Sequence, residues 1–401
     1  TGFIADRDYR NETASSESWI TSRLGLSDIF LAASDRAFGA SQFYGPYPSW
    51  ERTKAWFASA RQDLPLNTTA AFAFRRHTDQ FVLVRSDPAL YENNHITTSW
   101  QAMLHHTQQF TGSALLAGLD ADGDAIESNN LGRHARNRGA GYVNFDLRPT
   151  ARRWTLSAGL RMELFSGGPQ VVWAPHLAGS MRINGQLKLR ADAGYGYRIP
   201  SYTDLYYSDP TTRGNPHLKP ESAWTGEAGF DWSPSRKLAL SGTGFYARQH
   251  NTIDYVRATP ADQWQAVNLS GLRFRGFESL LTWTPSTRQQ VRIAWTALTG
   301  AQSALHGLES EYVFNYPVQN IHASWTTTFA HSILLDNSVQ LVQRYQQSVY
   351  PVWNASLVRS TGRIQPFLRL ANLSNTGYAE INNVPMPGRS ITAGLAITLR
   401  K

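Results

Sequence analysis

The chain has 401 residues and no cysteine, which excludes a disulfide scaffold and thiol chemistry. No stretch approaches the ~18 consecutive apolar residues of a transmembrane helix, so membrane-spanning helices are excluded. The 38 Lys and Arg against 30 Asp and Glu give a net charge of +8. These side chains are scattered and form no nucleic-acid motif, which argues against a nucleic-acid partner.

Segments of alternating apolar and polar residues recur along the whole chain. In residues 154–164 the even positions are apolar, whereas the odd positions include Arg161 and Glu163. The same alternation occurs in residues 187–199, 224–232, 291–297, 321–329 and 391–399. Each segment predicts a β-strand with one apolar and one polar face. Their length of roughly ten residues is what a tilted strand needs to cross a bilayer.

Short and long connections alternate between these segments. The short ones lie near residues 27–28, 64–66, 108–109, 149–152, 184–185, 233–236, 285–288, 330–331 and 360–363. The long ones lie at 36–50, 121–138, 200–221, 250–264, 300–314 and 374–389. Asn184-Gly185 predicts a two-residue hairpin turn with positive φ at both residues. Short turns at one end and long loops at the other are typical of outer-membrane barrels.

The sequence therefore predicts an all-β fold: a transmembrane, antiparallel, up-and-down β-barrel of about 20 strands, forming one domain over residues 1–401. A propeller is the alternative for such a repeat, but each blade requires four short strands where this pattern has two long ones. The alternation predicts that lipid is faced by Leu156, Leu160, Leu189, Trp232, Ile293, Trp295, Leu395 and Ile397. It places in the lumen Arg161, Glu163, Arg190, Asp192, Glu227, Arg292 and Thr398.

Several segments resemble the barrel of the TonB-dependent outer-membrane receptors. The most specific is residues 194–207 (GYGYRIPSYTDLYY), continued at residues 214–221 (GNPHLKPE). Further segments similar to strands of that family are 268–278 (NLSGLRFRGFE), 372–378 (NLSNTGY) with 385–390 (PMPGRS), and 6–11 (DRDYRN). Together these segments extend from one end of the chain to the other.

The resemblance implies a barrel of about 22 strands with an N-terminal plug domain in its lumen. This chain opens on what resembles an early barrel strand, so we expect the plug and one or two strands to be missing from it. The implied protein is a monomeric receptor, integral to the bacterial outer membrane with its lipid and lipopolysaccharide. It imports a scarce metal chelate with energy from the TonB-ExbB-ExbD complex, acting through the plug.

The spacing of the loops favours the compact cobalamin subgroup of that family, with a ferric siderophore or haem as the second choice. The alternative from a different class is a passive porin-like channel or a structural barrel. An enzyme is disfavoured, because no motif that activates a nucleophile accompanies the 11 histidines.

Two groups of residues are candidates for binding. Asp120, Asp122 and Asp124 lie close together in a predicted long loop, and carboxylates at that density suit calcium. A solvated acidic turn is the alternative for this run. Aromatic side chains concentrate on the long loops and are expected to contact a large, partly apolar ligand. They are Tyr44, Tyr47, Trp50, Tyr206, Tyr207, Tyr255, Trp264, Tyr312 and Tyr350. Packing of loop on loop is the alternative for them.

Three charged residues, Arg198, Asp204 and Glu221, lie in the segment of strongest resemblance. We expect them to tie that long loop to the rim of the barrel rather than to contact a ligand.

Overall fold

A computed structural model describes residues 6–41, 46–149, 153–166, 171–300, 305–313, 316–381 and 384–398. In these residues the backbone is almost entirely extended. A short helix, α1 (Tyr202–Tyr206), and a 3-10 turn (Ala330–Ser332) interrupt the strands. No helix among the described residues is long and apolar enough to cross a bilayer.

Strands follow one another from the first described residues to the last. The earlier strands are β1 (Tyr9–Ser22), β2 (Gly25–Gly39), β3 (Trp50–Leu64), β4 (Thr68–Val82), β5 (Glu92–Phe110), β6 (Ser113–Ser128), β7 (Gly132–Leu147), β8 (Trp154–Phe165), β9 (Val172–Arg182), β10 (Leu187–Arg198), β11 (Thr212–Arg213) and β12 (Glu221–Ser235). The later strands are β13 (Leu238–His250), β14 (Thr252–Arg257), β15 (Trp264–Leu269), β16 (Leu272–Ser286), β17 (Gln289–Gly300), β18 (Glu309–Ser310), β19 (Pro317–Thr328), β20 (Ile333–Arg344), β21 (Tyr350–Arg359), β22 (Ile364–Ala371), β23 (Ala379–Ile381), β24 (Val384–Pro385) and β25 (Ser390–Ile397). Within the described residues, one sheet contains 19 of these strands, close to the predicted 20.

The chain divides into two compact units. The first unit comprises Thr1–Leu177, Gly194–Ser222 and Asn251–Asn268. The second unit comprises Ala178–Ala193, Ala223–His250 and Leu269–Lys401. The prediction of a single domain over residues 1–401 stays a prediction.

Within each unit, long strands pair antiparallel with their neighbours in sequence. In the first unit, β1 to β8 form a continuous series of such pairs. In the second unit, the series runs from β13 through β16, β17, β19, β20, β21 and β22 to β25. This is the predicted up-and-down order, because each strand returns beside the one before it.

The two faces of the sheet differ as the alternation predicts. We define the apolar face of the sheet as the face that carries Phe72, Leu104 and Leu119, which are all large, exposed hydrophobic side chains. The opposite, polar face carries ion pairs, such as those of Arg161 with Glu163 and of Arg190 with Asp231. All eight side chains predicted to face lipid are exposed, namely Leu156, Leu160, Leu189, Trp232, Ile293, Trp295, Leu395 and Ile397. The predicted division between the two faces is confirmed at these positions.

Three of the predicted connections are corrected. The long loop predicted at residues 121–138 is wrong, because β6 continues to Ser128 and β7 begins at Gly132. The short turns predicted near residues 27–28 and 108–109 lie three to four residues away. One lies directly before Gly25, whose φ is +121°, and the other lies at Gly112, whose φ is +76°. Only glycine adopts such values without strain, so these glycines fix the turns.

The predicted Asn-Gly turn also differs in detail. Neither Asn184 nor Gly185 has a positive φ. The Asn184 side chain instead accepts hydrogen bonds from the backbone N–H groups of Gln186, at 2.8 Å, and Leu187, at 2.9 Å. The side chain therefore closes a four-residue connection in place of the two-residue hairpin turn.

Candidate functional site

A ladder of carboxylates and guanidinium groups crosses the polar face of the first unit. Alternation in β6 places Asp120, Asp122 and Asp124 on one face, and register pairs Asp122 with Arg138 and Asp124 with Arg136 of β7. The Nε atom of Arg136 lies 2.8 and 3.0 Å from the two carboxylate oxygens of Asp124. Arg138 donates from Nε to Oδ1 of Asp122. Complementary charges on neighbouring strands therefore compensate each other where the sequence predicted a loop.

The ladder continues into β8 through a buried carboxylate. Glu163 is only 4% exposed and accepts from Nε of Arg161 at 3.0 Å, while Arg138 lies 3.6 Å away. Arg161 also donates from Nη1 to Asp120 at 2.6 Å. Glu163 is thus held between two guanidinium groups, which is the compensation that a buried carboxylate requires.

The predicted calcium ligands are all members of this ladder. Asp120, Asp122 and Asp124 lie in a strand, not in a loop, and each has an arginine partner. Among the described residues, no cluster of three or more potential ligands is arranged to hold a metal ion. The calcium site stays a prediction, and any calcium ion must compete with these arginines.

A cavity of about 820 Å³ lies against the ladder, and eight of its twenty lining residues are charged. Arg75 of β4 also lines it, and register places Arg75 between Phe57 of β3 and Ser99 of β5. Unlike the ladder arginines, Arg75 forms no salt bridge within the described part of the chain. The cavity therefore combines an uncompensated cation, a hydroxyl group and an aromatic ring, which suits an anionic group on a partly apolar ligand.

One wall of the cavity is the segment that contains α1. Ser201 caps the helix by accepting from the backbone N–H of Asp204, and the Asp204 carboxylate accepts in return from the N–H of Ser201. Arg198 bridges Asp204, at 3.1 Å, and Glu221, at 2.5 Å. Glu221 accepts in addition from the N–H of Ile253. The predicted role of these charged residues in tying the loop to the rim is confirmed.

The same segment is stacked onto the end of β7. The rings of His134 and Tyr206 are 3.7 Å apart and almost parallel, at 4°. The Arg136 guanidinium lies 4.6 Å from the Tyr202 ring and donates to the carbonyl oxygen of Pro200 at 2.7 Å. Arg136 therefore connects the ladder to the helix. Burial, followed by the nearby charge of Asp124, raises the pKa of Tyr202 to about 12.

A small hydrophobic cluster packs beneath α1. Strand β11 pairs in parallel with β15, and the buried residues of the cluster are Leu218, Ile253, Tyr255 and Ala266. Leu205 of α1 and Trp264 pack against it. The two long connections of this unit are therefore an ordered layer rather than free loops.

This layer contains four of the predicted ligand-binding aromatics. Tyr255 is 7% exposed and Trp264 lies 4.2 Å from the Arg257 guanidinium, so loop packing accounts for both rings. Tyr206 stacks on His134. The Tyr207 hydroxyl donates to Asp209 at 2.9 Å, and burial raises the pKa of Tyr207 far above its ordinary value.

The other predicted aromatics lie elsewhere in the sequence. Tyr47 is 42% exposed, and Trp50, the first residue of β3, lies 6.0 Å from the Arg85 guanidinium. In the second unit, Tyr312 is 63% exposed and Tyr350 stacks on Tyr378 at 5.1 Å. Tyr44 lies outside the described residues.

Several residues that line the cavity were not predicted from the sequence, among them Arg75, Arg136 and Arg138. A signal for two of them was present: an Asp-x-Asp-x-Asp run is followed about a dozen residues later by Arg136-x-Arg138. Alternating charges of opposite sign at that spacing indicate a hairpin with ion pairs across it. Arg75 has no comparable signal.

A family model described as TonB dependent receptor-like, beta-barrel matches residues 3–395. The chain belongs to this family. Its members are outer-membrane β-barrel receptors that transport ligands and are not enzymes. The predicted fold class and the predicted family are thereby confirmed.

The TonB-dependent relatives include transporters of different ligands. The vitamin B12 transporter BtuB of Photobacterium profundum is 26% identical over 262 residues, which cover 64% of this chain and 36% of that protein. The copper transporter OprC has a TM-score of 0.78 at 13% identity, with 96% of this chain and 70% of that chain covered. The Serratia marcescens hemophore receptor HasR, solved with its hemophore HasA and haem, has a TM-score of 0.76 at 15% identity, with 96% and 71% covered. The chain thus spans about a third of the length of the curated relative that it matches.

Proposed function

We propose that this chain forms the outer-membrane barrel of a monomeric receptor that imports a metal chelate, with cobalamin as the first candidate and with energy from the TonB complex. The observation that carries the choice of cobalamin is the 26% identity to a vitamin B12 transporter over 262 residues. The route for energy coupling is an inference from the family.

The cavity of the first unit suits a large ligand that carries negative charge. Its volume of about 820 Å³ lies within the range of sites for small molecules and cofactors. Arg75 supplies a charge that no carboxylate neutralises among the described residues, and Phe57 supplies an aromatic ring. Cobalamin offers both a phosphate and flat apolar surfaces to such groups.

A ferric siderophore or haem is the second candidate, because siderophore and hemophore receptors are among the solved structures with the same fold. At 13% and 15% identity these structures support the fold and not the ligand. A passive channel is the alternative of a different class.

Uptake in cells tests the proposal. The complete protein that contains this chain is expressed in a bacterium whose own cobalamin receptor is deleted, and uptake of radiolabelled cyanocobalamin is measured with and without a functional TonB protein. We expect TonB-dependent uptake, and we expect an Arg75→Gln variant to lower it. Ferric enterobactin and haem are supplied in parallel as competitors.

Each outcome selects one candidate. Competition by ferric enterobactin or haem, with no cyanocobalamin uptake, would replace cobalamin by the second candidate. Uptake of small solutes that does not depend on TonB would support the channel.

A further inference from the structure

A row of three polar side chains crosses adjacent strands of the first unit. Strand register places Asp79 of β4 opposite His95 of β5, and His95 opposite Ser128, the last residue of β6. Nδ1 of His95 lies 2.8 Å from Oγ of Ser128. Oδ1 of Asp79 is buried and has no hydrogen-bond partner within the described residues. His95 therefore stands between a hydroxyl group that it contacts and a carboxylate oxygen that is still free.

Ser128 also caps the connection between β6 and β7. Its Oγ accepts from the backbone N–H groups of Asn130, at 3.0 Å, and Leu131, at 2.9 Å. A hydroxyl group has two lone pairs and one proton, so the O–H of Ser128 is what remains to bond His95. Nδ1 of His95 must then accept this proton. The arrangement requires a neutral His95 that carries its own proton on Nε2.

The connection that Ser128 caps holds the chain around α1 in place. We call residues 198–208 the α1 segment. The Asn130 side chain donates to the carbonyl oxygen of Ser208 at 2.9 Å and accepts from its N–H at 3.2 Å. Nε2 of His134 donates to the carbonyl oxygen of Leu131 at 2.7 Å, and the His134 ring stacks on Tyr206. Bonds from Ser128 thus reach the α1 segment, whose first residues line the cavity.

A protonated His95 is incompatible with this bonding. The charged imidazole has an N–H on both nitrogens, so Nδ1 can no longer accept from Ser128. Either the ring turns towards the free oxygen of Asp79 and forms a charge-assisted hydrogen bond, or its Nδ1–H takes a lone pair of Ser128 from a backbone N–H. In both cases the network around Ser128 loses one hydrogen bond.

The other titratable and charged groups do not cancel this effect. Those on the polar face around His95 are Arg75, His77 and Asp79 of β4, Asp124 of β6, His134 of β7 and Tyr91 of the connection before β5. Asp124 is already paired with Arg136. His134 donates from Nε2 in its neutral and its charged form alike, so its protonation keeps the bond to Leu131. Asp79, directly opposite His95, supplies the negative charge that favours a protonated ring.

We propose that His95 is a proton-operated latch on the α1 segment. At neutral pH the uncharged ring accepts from Ser128, and the connection holds the segment in place. At acidic pH the charged ring pairs with Asp79, and the segment loosens. Because the segment forms one wall of the cavity, acid then weakens retention of a ligand. This last consequence rests on the proposed function, whereas the latch itself does not.

Hydrogen exchange of the complete protein in an uncharged detergent tests the latch. Exchange is followed by mass spectrometry at pH 7 and pH 5, without ligand, with labelling times scaled for the slower intrinsic exchange at pH 5. We expect residues 129–131 and the α1 segment to lose about fivefold in protection at pH 5, as the loss of one hydrogen bond implies. Protection of β8 serves as the internal reference and is expected to stay constant.

Two glutamine variants separate His95 from its neighbours. In His95→Gln, the amide oxygen still accepts from Ser128 but the side chain does not titrate, so the α1 segment is expected to stay protected at both pH values. The matched control is His77→Gln, which removes a histidine from the same face of the adjacent strand. We expect this control to keep the full response to acid. Circular dichroism verifies that each variant retains its β-structure.

Equal protection of the α1 segment at pH 7 and pH 5 in the unchanged protein would overturn the latch. A response that persists in His95→Gln, or that disappears in His77→Gln, would also overturn it, because another group would then carry the titration. Failure of the latch leaves cyanocobalamin uptake at pH 7 unaffected. Absence of that uptake removes the proposed function and leaves the exchange result standing, so the two failures are distinguishable.

Discussion

Single side chains on the polar face contribute unequally to stability, and burial decides the difference. Glu163 is 4% exposed and depends on Arg161 and Arg138 for compensation. Removing one partner of a buried ion pair leaves a charge that neither water nor protein satisfies. By contrast, an exposed pair loses little when it is broken, because water replaces the partner.

The first prediction follows from this contrast. We expect Arg161→Gln to lower the free energy of unfolding by about 3 kcal/mol, since Glu163 and Asp120 both lose a guanidinium group. Arg148→Gln breaks an exposed pair with Asp146 at 3.2 Å and is expected to cost less than about 1 kcal/mol. Urea unfolding of the protein in lipid vesicles measures both values. Equal losses would show that burial of Glu163 is unimportant.

The second prediction concerns alkaline pH. The pKa of Tyr202 is raised from 10.0 to about 12, so the folded state holds this proton more tightly than the unfolded chain. The contribution of Tyr202 to stability is therefore complete below pH 10 and is lost as the pH rises towards 12. We expect Tyr202→Phe to remove part of this pH dependence, measured by hydrogen exchange of α1. The tyrosinate absorbance of the unchanged protein must rise in the same pH range.

The third prediction concerns calcium. Because Asp120 and Asp122 are paired with Arg161 and Arg138, calcium has to displace guanidinium groups. We expect the heat of calcium binding to increase in an Arg138→Gln/Arg161→Gln variant and to vanish when the three aspartates, Asp124 included, are changed to Asn. Isothermal calorimetry provides the measurement. The same heat in all three proteins would eliminate the site.

At the level of single elements, the register of a strand depends on which of its two faces is apolar, and not on the strand propensity of its residues alone. β8 shows this most simply: Leu156, Leu160 and Leu164 are exposed on one face, and Arg161 and Glu163 are paired on the other. A shift of one residue in register would expose the charges to lipid and bury the leucines among ions. The alternation therefore selects the register of β8 against β7.

The fourth prediction tests this facing. Leu160→Arg places a charge on the apolar face and is expected to destabilise the membrane-embedded protein by about 2–4 kcal/mol, less if residue 160 lies near an interface. Leu160→Ala, which shortens the side chain without adding charge, is the control and is expected to have a small effect. Refolding into vesicles followed by urea titration measures both. A tolerated arginine would mean that residue 160 does not face lipid.

At the level of the whole molecule, the long and short connections are expected to lie on opposite sides of the outer membrane. The turn at Arg236 joins two strands directly, whereas Ala261 lies in the long connection between β14 and β15. Members of the family are outer-membrane receptors, in which the longer loops face the exterior.

The fifth prediction uses the absence of cysteine in the sequence. In intact cells, an Ala261→Cys variant is expected to react with a membrane-impermeant maleimide, and an Arg236→Cys variant only after the outer membrane is permeabilised. The unchanged chain provides a control without background labelling. The reverse pattern of labelling would invert the orientation.

The sequence by itself determined the fold class, the approximate strand count and the facing of most side chains. These properties depend on period-two alternation and on turn residues, and both can be recognised from neighbouring residues in one sequence. The roles of Arg198, Asp204 and Glu221 were also predictable, because they lie within one short segment of strong resemblance.

Only the tertiary structure decided which residues line the cavity and which aromatics are free to contact a ligand. The sequence alone predicts an acidic loop at Asp120, Asp122 and Asp124. The structure shows instead that arginines of β7 and β8 pair with them. The sequence alone predicts ligand contacts at Tyr255 and Trp264. In the structure both belong to one hydrophobic cluster, with residues of α1 and β15. In both cases the charge or the apolar surface of the deciding partner acts only once the strands are paired.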